Sequence, residues 1–295
     1  MRTAAAIDIG GTHTKLGIVD ENGVILARGK VETPANGDPA PLVDAIAEGL
    51  QPALQTHSPA GIGVSVAGFL DAARTAMLGN ANLPALCGFP LKRSLEERLE
   101  RPCRLEVDSN ASAIAEYRYG AGRDARRLLS VVIGTGVGGG VIIDGRLLRY
   151  TGECAGDLGH VIVSPTGRRC TCGAIGCLEA MVCSEAVAER AGGARVREVV
   201  GRARAGKGRA ADVLAETGRW LGLGLASLAP LFAPDRIVIG GGVASAGELL
   251  LEPARAGFAA QASQELKTSV AIVGSTLEGW EGMIGAASQF LVPME

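Results

Sequence analysis

One imidazole and three thiols lie close together in the chain, in a spacing that suits a metal ion. His160, Cys170, Cys172 and Cys177 follow the pattern H-x9-C-x-C-x4-C. An imidazole and three thiolates form a preferred tetrahedral set for structural Zn²⁺, and the short polar loop 160–177 would gain order from the ion. Because protein ligands fill all four positions, the ion should shape a site and not activate water. The pattern therefore favours structural zinc over a zinc hydrolase.

Two glycine-rich turns of the same plan could bind phosphate groups. Ile7–Thr12 and Val131–Gly136 each run from an apolar strand into a glycine turn, and a return strand follows. Glycine is needed there both for positive φ and for close approach of the ligand, and consecutive backbone N–H groups in such turns bind anions. Asp8, just before the first turn, suits a hydrated Mg²⁺. The residues expected at the nucleotide are Asp8, Gly10, Gly11, Thr12, Gly134, Thr135, Gly136, Gly240, Gly241 and Gly242, the last three lining an adenosine pocket.

Two other nucleotide-binding motifs do not fit this sequence. Residues 134–139 match GxGxxG, but that fingerprint must open a helix, whereas the apolar run 141–143 and the Asp144-Gly145 turn follow here. The chain also lacks the GxxxxGK[ST] sequence of a P-loop. The glycine turns are therefore interpreted as phosphate-binding hairpins.

Mixed strands and helices must position these residues. Apolar runs ending at Ile9, Val66, Val107, Ile133 and Ile239 read as strands, and helical spacing recurs between them. The two related halves predict an α/β protein of two lobes with a cleft between them. We expect residues 1–118 with 282–295 to form a small lobe and 119–281 a large one. Strands are expected at 4–9, 61–66, 103–107, 129–133, 140–143 and 236–239, and helices at 42–54, 91–99, 108–119, 212–231, from 247, and 281–291.

Composition limits the partners and the compartment. The formal net charge is −2, which gives no electrostatic reason to expect nucleic acid or an anionic membrane. No apolar run reaches the roughly 20 residues of a membrane span, and the start lacks a secretory pattern. The 7 cysteines fit a reducing compartment, so a cytoplasmic protein is expected. Cys87, Cys103, Cys154 and Cys183 are expected in the core, and the basic stretch 195–209 on a solvated face.

Taken together, the motifs resemble the ROK family of sugar kinases and related repressors, within the actin and hexokinase-like ATPases. The resemblance covers nearly the whole chain and includes the segments 8–12, 82–84, 107–111, 133–140, 156–160, 176–179 and 239–242 with the cysteine loop. It implies a ribonuclease H-like actin fold, a homodimer, and ATP-dependent phosphorylation of a sugar hydroxyl. It also implies that Asp108 is the catalytic base. By the same resemblance the sugar contacts are Asn82, Val107, Asp108, Asp157, His160 and Glu179.

Two departures from the family pattern leave the acceptor sugar open. Val107 stands where glucokinases of the family have Asn, and Asp157 replaces the usual Glu. Glucose or a related hexose is the first hypothesis, and fructose or an N-acylhexosamine such as N-acetylmannosamine is the alternative; polyphosphate is an alternative donor. A sugar-binding protein without turnover remains a hypothesis of a different class. A repressor is disfavoured because the first glycine turn begins too early to follow a DNA-binding domain.

Overall fold

The computed structural model describes residues 1–34, 36–79, 83–149 and 157–292. In these ranges the chain packs into two compact units. Unit 1 contains residues 1–119, 145–149 and 280–292, and unit 2 contains residues 120–144 and 157–279. Alternating strands and helices confirm the α/β class, whereas the lobes 1–118 with 282–295 and 119–281 stay a prediction.

The elements follow the apolar runs of the sequence. The strands are β1 (Thr3–Ile9), β2 (His13–Asp20), β3 (Ile25–Glu32), β4 (Ile62–Val66), β5 (Phe69–Leu70), β6 (Met77–Gly79), β7 (Cys103–Val107), β8 (Arg127–Ile133), β9 (Val137–Ile143), β10 (Arg146–Leu147), β11 (Arg236–Gly240) and β12 (Ala271–Gly274). The α-helices are α1 (Ala40–Thr56), α2 (Leu91–Leu99), α3 (Asp108–Tyr119), α4 (Leu178–Val182), α5 (Ser184–Arg190), α6 (Val196–Arg204), α7 (Ala210–Phe232), α8 (Glu248–Gln261), α9 (Gln264–Ser269) and α10 (Glu281–Leu291).

The core of unit 1 is a mixed sheet of strand order β3-β2-β1-β4-β7. Strand β1 is buried because both of its faces are covered. Ile7 and Ile9 pack with apolar residues of α1 and α2, whereas Ala4 and Ala6 pack with α10. Since side chains alternate along a strand, Asp8 points to the α10 face of the sheet.

The core of unit 2 contains β9, β8, β11 and β12 in this order. Strand β8 runs antiparallel to β9 and parallel to β11, which is parallel to β12. Ile133 of β8 pairs with Val137 of β9, so the second glycine turn closes a hairpin. The first turn does the same between β1 and β2, where Ile9 pairs with Thr14. The predicted plan of strand, glycine turn and antiparallel return strand is therefore confirmed in both places.

The strongest sequence patterns predicted the ends of helices closely, whereas elements with weaker patterns were missed. Helices α2, α3 and α10 occupy the ranges expected for them. The four-residue strand β12 was not predicted, and most of the basic stretch 195–209 forms α6 and the turn after it. Among the described residues, no helix is both long enough and apolar enough to cross a membrane.

Candidate active site

The first glycine turn is closed by its own backbone. The N–H of Gly10 donates to the carbonyl of His13 (3.2 Å), and the Thr12 carbonyl accepts from the N–H of Thr33 (3.0 Å). Neither Gly10 nor Gly11 has a positive φ, so the expectation that this turn needs positive φ is wrong. Space is what restricts Gly10, because a Cβ there would lie 3.0 Å from the His13 carbonyl.

Asp8 is held at the end of β1, next to this turn. Its Oδ1 accepts a hydrogen bond from Ser65 Oγ at 2.9 Å, and its Oδ2 lies 3.4 Å from Lys15 Nζ. The start of α10 comes so close that a Cβ on Gly282 would lie 2.5 Å from Asp8 Oδ1. Each carboxylate oxygen has more than one acceptor site, so the oriented Asp8 can also bind the water shell of a cation.

Asp108 stands where β7 passes into α3. It is the first residue of α3, and its Oδ1 accepts from the backbone N–H of Ser109 at 2.7 Å. Val107 before it is half-buried and has no side-chain polar atom. Asn82, the other sugar contact expected in unit 1, lies outside the described residues.

The second glycine turn is supported by two side chains of unit 2. The Gly134 carbonyl accepts from both the N–H and the hydroxyl of Ser184 at 2.8 Å, while the Gly134 N–H donates to Gly136. Glu179 Oε2 accepts from the N–H of Val137 at 2.9 Å. A Cβ on Gly136 would lie 2.6 Å from that oxygen. Neither Gly134 nor Gly136 has a positive φ. Space restricts Gly136, whereas a Cβ on Gly134 would meet nothing within 4 Å.

The third glycine run lies beside the second turn. Gly240 ends β11, and Gly241 has a φ of +87°, a conformation that glycine adopts without strain. A Cβ on Gly241 would lie 2.5 Å from the carbonyl oxygen of Ile133, the last residue of β8. The run 240–242 is thus packed against the strand end from which the turn 134–136 begins.

The four predicted metal ligands converge in unit 2. The ligand atoms of His160, Cys170, Cys172 and Cys177 all lie within 4.8 Å of one another. The Sγ atoms of Cys172 and Cys177 are 3.6 Å apart, as are Cys170 Sγ and His160 Nδ1. Tetrahedral zinc with Zn–S bonds of about 2.3 Å requires an S···S separation of about 3.8 Å. The donor set therefore fits a tetrahedral metal ion.

The protonation of the thiols depends on their surroundings. Burial raises the pKa of the Cys177 thiol to about 12, and burial also raises the pKa of Cys170. The backbone N–H of Ala174 lowers the pKa of Cys172. A cation among them would favour the thiolates, since it stabilises the charged form that burial disfavours.

Two carboxylates flank the metal ligands. Asp157 Oδ2 lies 3.4 Å from His160 Nε2, the arrangement in which a carboxylate fixes the ring of a metal-binding histidine. Burial raises the pKa of Asp157, and Glu179 nearby acts in the same direction. Glu179 Oε1 accepts from the hydroxyl of Thr171 at 3.2 Å, so Glu179 joins the metal loop to the second glycine turn.

The predicted residues thus fall into two groups, each within one unit. Unit 1 brings together Asp8, Gly10, Gly11 and Thr12 at one strand end and carries Val107 and Asp108 at another; unit 2 carries Gly134, Thr135, Gly136, Asp157, His160, Cys170, Cys172, Cys177, Glu179 and Gly240 to Gly242.

The sequence did not reveal every supporting residue. Lys15, Ser65 and Ser184 hold site residues in place, yet no motif marked them, because their contacts depend on strand register and helix packing.

The expectation for the remaining cysteines is only partly met. Cys103 and Cys183 are buried, as expected, but Cys87 is exposed, so the expectation that it belongs to the core is wrong. It follows a short 3₁₀ turn at the surface. Cys154 lies outside the described residues.

Comparison with known proteins gives consistent matches along nearly the whole chain. The model of the ROK family matches residues 4–292. A glucokinase of Streptomyces coelicolor is 34% identical over 97% of this chain and 97% of its own length. An N-acetylmannosamine kinase of Escherichia coli is 33% identical over 82% of this chain and 83% of its own length.

A solved structure agrees with these matches. The crystal structure of a ROK family glucokinase from Streptomyces griseus, in complex with glucose and AMPPNP, superposes with a TM-score of 0.86. The two sequences are 34% identical, and the match covers 97% of this chain and 98% of the glucokinase. The two-lobe actin-like fold expected from the sequence is thereby confirmed. With a family model that spans 4–292 and relatives of this identity, the chain belongs to the ROK family.

Proposed function

We propose that this protein is an ATP-dependent kinase that phosphorylates a hydroxyl group of a hexose. The observation that carries the proposal is the pair of matching hairpins, 7–14 in unit 1 and 131–137 in unit 2, in a chain that resembles glucokinases along 97% of its length. Both hairpins keep the glycines and threonine that a phosphate cradle needs.

The proposed reaction moves one phosphoryl group and one proton. The hydroxyl oxygen of the sugar attacks the γ-phosphorus, the bond between that phosphorus and the bridging oxygen breaks, and ADP leaves. Asp108 accepts the hydroxyl proton as the new P–O bond forms. Asp108 is oriented for this role by its position at the start of α3, where its Oδ1 accepts from the Ser109 N–H.

The nucleotide contacts are proposed from the two hairpins. The N–H groups of Gly10 and Gly134 are used within their own turns, so Gly11, Thr12 and Thr135 are the better phosphate donors in the proposed cradle. Gly240 to Gly242 would line the adenosine. Mg²⁺ would neutralise phosphate charge, and Asp8 would hold it through water.

The metal loop is proposed to bind structural zinc through His160, Cys170, Cys172 and Cys177. The converging donor atoms support this assignment. The ion would order the loop that carries His160 and stands next to Glu179, which together with Asp157 are the proposed contacts of the sugar hydroxyls. The homodimer and the cytoplasmic location implied earlier stay predictions.

The identity of the hexose depends on a few positions. Glucose is the first candidate because glucokinases of 34% and 32% identity cover almost the whole chain. N-acetylmannosamine is the second, since a kinase of that name is 33% identical over 82% of the chain, and fructose remains an alternative. Val107 cannot hydrogen-bond a sugar hydroxyl, and an unpaired hydroxyl there would cost about 1–3 kcal/mol. A sugar without a polar group facing Val107 is therefore favoured.

A coupled assay for ADP release tests the function. The protein is incubated with ATP, Mg²⁺ and, in separate reactions, glucose, fructose, mannose and N-acetylmannosamine. Sugar-dependent ADP release with at least one of them is expected. Sugar binding without ADP release would contradict catalysis and favour the sugar-binding protein without turnover.

The role of Asp108 is tested by Asp108→Asn. The amide cannot accept the proton, so turnover should fall at least about 10²-fold while sugar binding stays measurable by calorimetry. Asp44→Asn is the matched control, because Asp44 is exposed on α1 and paired with Arg98. An Asp108→Asn variant with a rate near that of the control would exclude Asp108 as the base.

A further inference from the structure

Glu106 is a fully buried carboxylate two residues before the proposed base. Its residue is 1% exposed, and it lies on β7, which ends at Val107. Burying a charge is costly unless it is paired and hydrogen-bonded. The negative charge of Glu106 must therefore be compensated by the groups around it, and these groups identify the segments that Glu106 holds in place.

One oxygen of Glu106 binds the start of α3. Its Oε1 accepts from Asn110 Nδ2 at 3.1 Å and from the backbone N–H of Val107 at 3.2 Å. Val107 and Asn110 flank Asp108 in the chain, and Asn110 lies in the first turn of the helix that Asp108 begins. This oxygen thus fixes the backbone on both sides of the proposed base.

The other oxygen binds two arginines from separate segments of unit 1. Arg149 Nη1 lies 2.6 Å from Glu106 Oε2, and Arg74 Nη1 lies 3.2 Å from the same atom. Both arginine side chains are about two-fifths exposed, at 38% and 42%. Arg74 stands in a turn that Asp71 closes by accepting from the N–H and hydroxyl of Thr75.

These contacts make one side chain the meeting point of three segments. The charge of Glu106 is compensated by two guanidinium groups, while its hydrogen-bond capacity also fixes the turn of Asp108. Removing the charge would leave the two arginines repelling each other and free the segments that they hold.

We propose that Glu106 is a positioning residue of the reaction, which holds Asp108 in place by tying the first turn of α3 to Arg149 and Arg74. The inference rests on the proposed function, because it assigns Glu106 a role in the geometry of that reaction. Glu106 itself touches no reacting atom. Its effect reaches the hydroxyl only through the position of the Asp108 carboxylate.

The test is Glu106→Gln, with kcat and both KM values measured per folded protein. An amide has a single acceptor oxygen, so either orientation of Gln leaves donors facing donors, on the α3 side or on the arginine side. A small displacement of a catalytic group can cost about 10²-fold in rate, so we expect kcat for the best hexose to fall at least tenfold. The KM for ATP should stay within about twofold, because the phosphate hairpins lie on other strands.

A second set of variants keeps the test valid if Glu106→Gln does not fold. Arg149→Met and Arg149→Lys change a side chain that is partly in solvent. Arg149→Met should lower kcat in the same way, and Arg149→Lys should lower it less because the charge remains. In the double variant Glu106→Gln, Arg149→Met, kcat should fall by less than the product of the two single-variant factors.

Glu97→Gln is the matched control, since it breaks the exposed pair with Arg93 on α2 of the same unit. It should leave kcat and both KM values unchanged. A kcat of the Glu106 and Arg149 variants within about twofold of this control overturns the inference. So does a loss that disappears once rates are divided by the folded fraction measured by circular dichroism, because that is the effect of a purely structural residue. A wild-type protein without hexose-dependent ADP release overturns the proposed function together with this inference, whereas failure of the inference alone leaves wild type and control active.

Discussion

The contact between Gly136 and Glu179 gives the sharpest test of the second hairpin. In Gly136→Ala the added methyl carbon would lie 2.6 Å from Glu179 Oε2. A carbon and an oxygen that are not bonded need about 3.4 Å. One of the two groups must therefore move by roughly 0.8 Å. The backbone of Gly136 is fixed by its hydrogen bond to Gly134, so the carboxylate is the group that moves.

The expected loss of activity follows from the hydrogen bond that Gly136→Ala removes. Glu179 Oε2 accepts from the N–H of Val137 at 2.9 Å, and a displacement of this size carries it beyond hydrogen-bond distance if the carboxylate recedes. A hydrogen bond to a charged group contributes about 1.5–3 kcal/mol, which is roughly a 10- to 150-fold effect. Because Glu179 is also a proposed contact of the sugar, we expect kcat/KM for the hexose to fall by this factor.

The measurement combines steady-state kinetics with thermal unfolding, and Gly201→Ala is the control. Gly201 lies in α6 of the same unit, where an added methyl meets nothing within 4 Å. The control should keep its activity and gain up to about 1 kcal/mol of stability, since alanine is the better helix former. A Gly136→Ala variant whose kcat/KM and unfolding temperature match wild type would refute the steric reasoning, and with it the role of Glu179 in supporting the turn.

Two further substitutions test the metal loop and the orientation of Asp8. Cys172→Ser should lower the metal content to less than about half an equivalent per chain and lower the unfolding temperature. Cys87→Ser changes another exposed cysteine and should change neither the metal content nor the unfolding temperature. Equal metal content in the two variants would contradict the metal site. Ser65→Ala removes the buried donor to Asp8 Oδ1 and should lower the free energy of unfolding by about 1.5–3 kcal/mol and raise the Mg²⁺ concentration needed for half-maximal rate. Denaturant titration and ADP release over a range of Mg²⁺ concentrations measure the two effects, and an unchanged Mg²⁺ requirement would argue against Asp8 as the ion's anchor.

Sequence reasoning succeeded where the signal is local. That His160, Cys170, Cys172 and Cys177 lie close together was predicted from their spacing alone, because one short loop carries all four. The two hairpins were predicted because a glycine turn between apolar runs has few other conformations available. One of the two reasons given for the glycines, positive φ, was wrong, since φ is not positive at Gly10 or Gly134. Whether a Cβ fits at Gly10 is decided by the His13 carbonyl, which only the folded chain brings into place.

Sequence reasoning failed where contacts depend on the register of distant strands. Asp8 pairs with Ser65 across β1 and β4, and Ser65 pairs with Glu106 across β4 and β7. The antiparallel register places Lys15 opposite Asp8 on the other side. Lys15 is only 7 residues from Asp8, but Ser65 and Asp8 are 57 residues apart. A glutamate inside an apolar strand therefore gave no sign that it faces two arginines.

The same register gives two buried polar residues of unit 1, Ser65 and Glu106, polar partners on neighbouring strands and segments. Lys15, Asp8, Ser65 and Glu106 occupy paired positions on four adjacent strands, so their side chains lie on one face of the sheet. Along the row, Lys15 and Ser65 bind Asp8, and arginines compensate Glu106. A slip of one residue in β4 would turn Ser65 to the opposite face, leave Asp8 Oδ1 without its donor and place a hydroxyl among the apolar side chains of α1 and α2. The apolar core thus enforces the register. The register in turn orients Asp8, the carboxylate proposed to hold Mg²⁺, on β1, which β4 separates from the strand β7 that leads to Asp108.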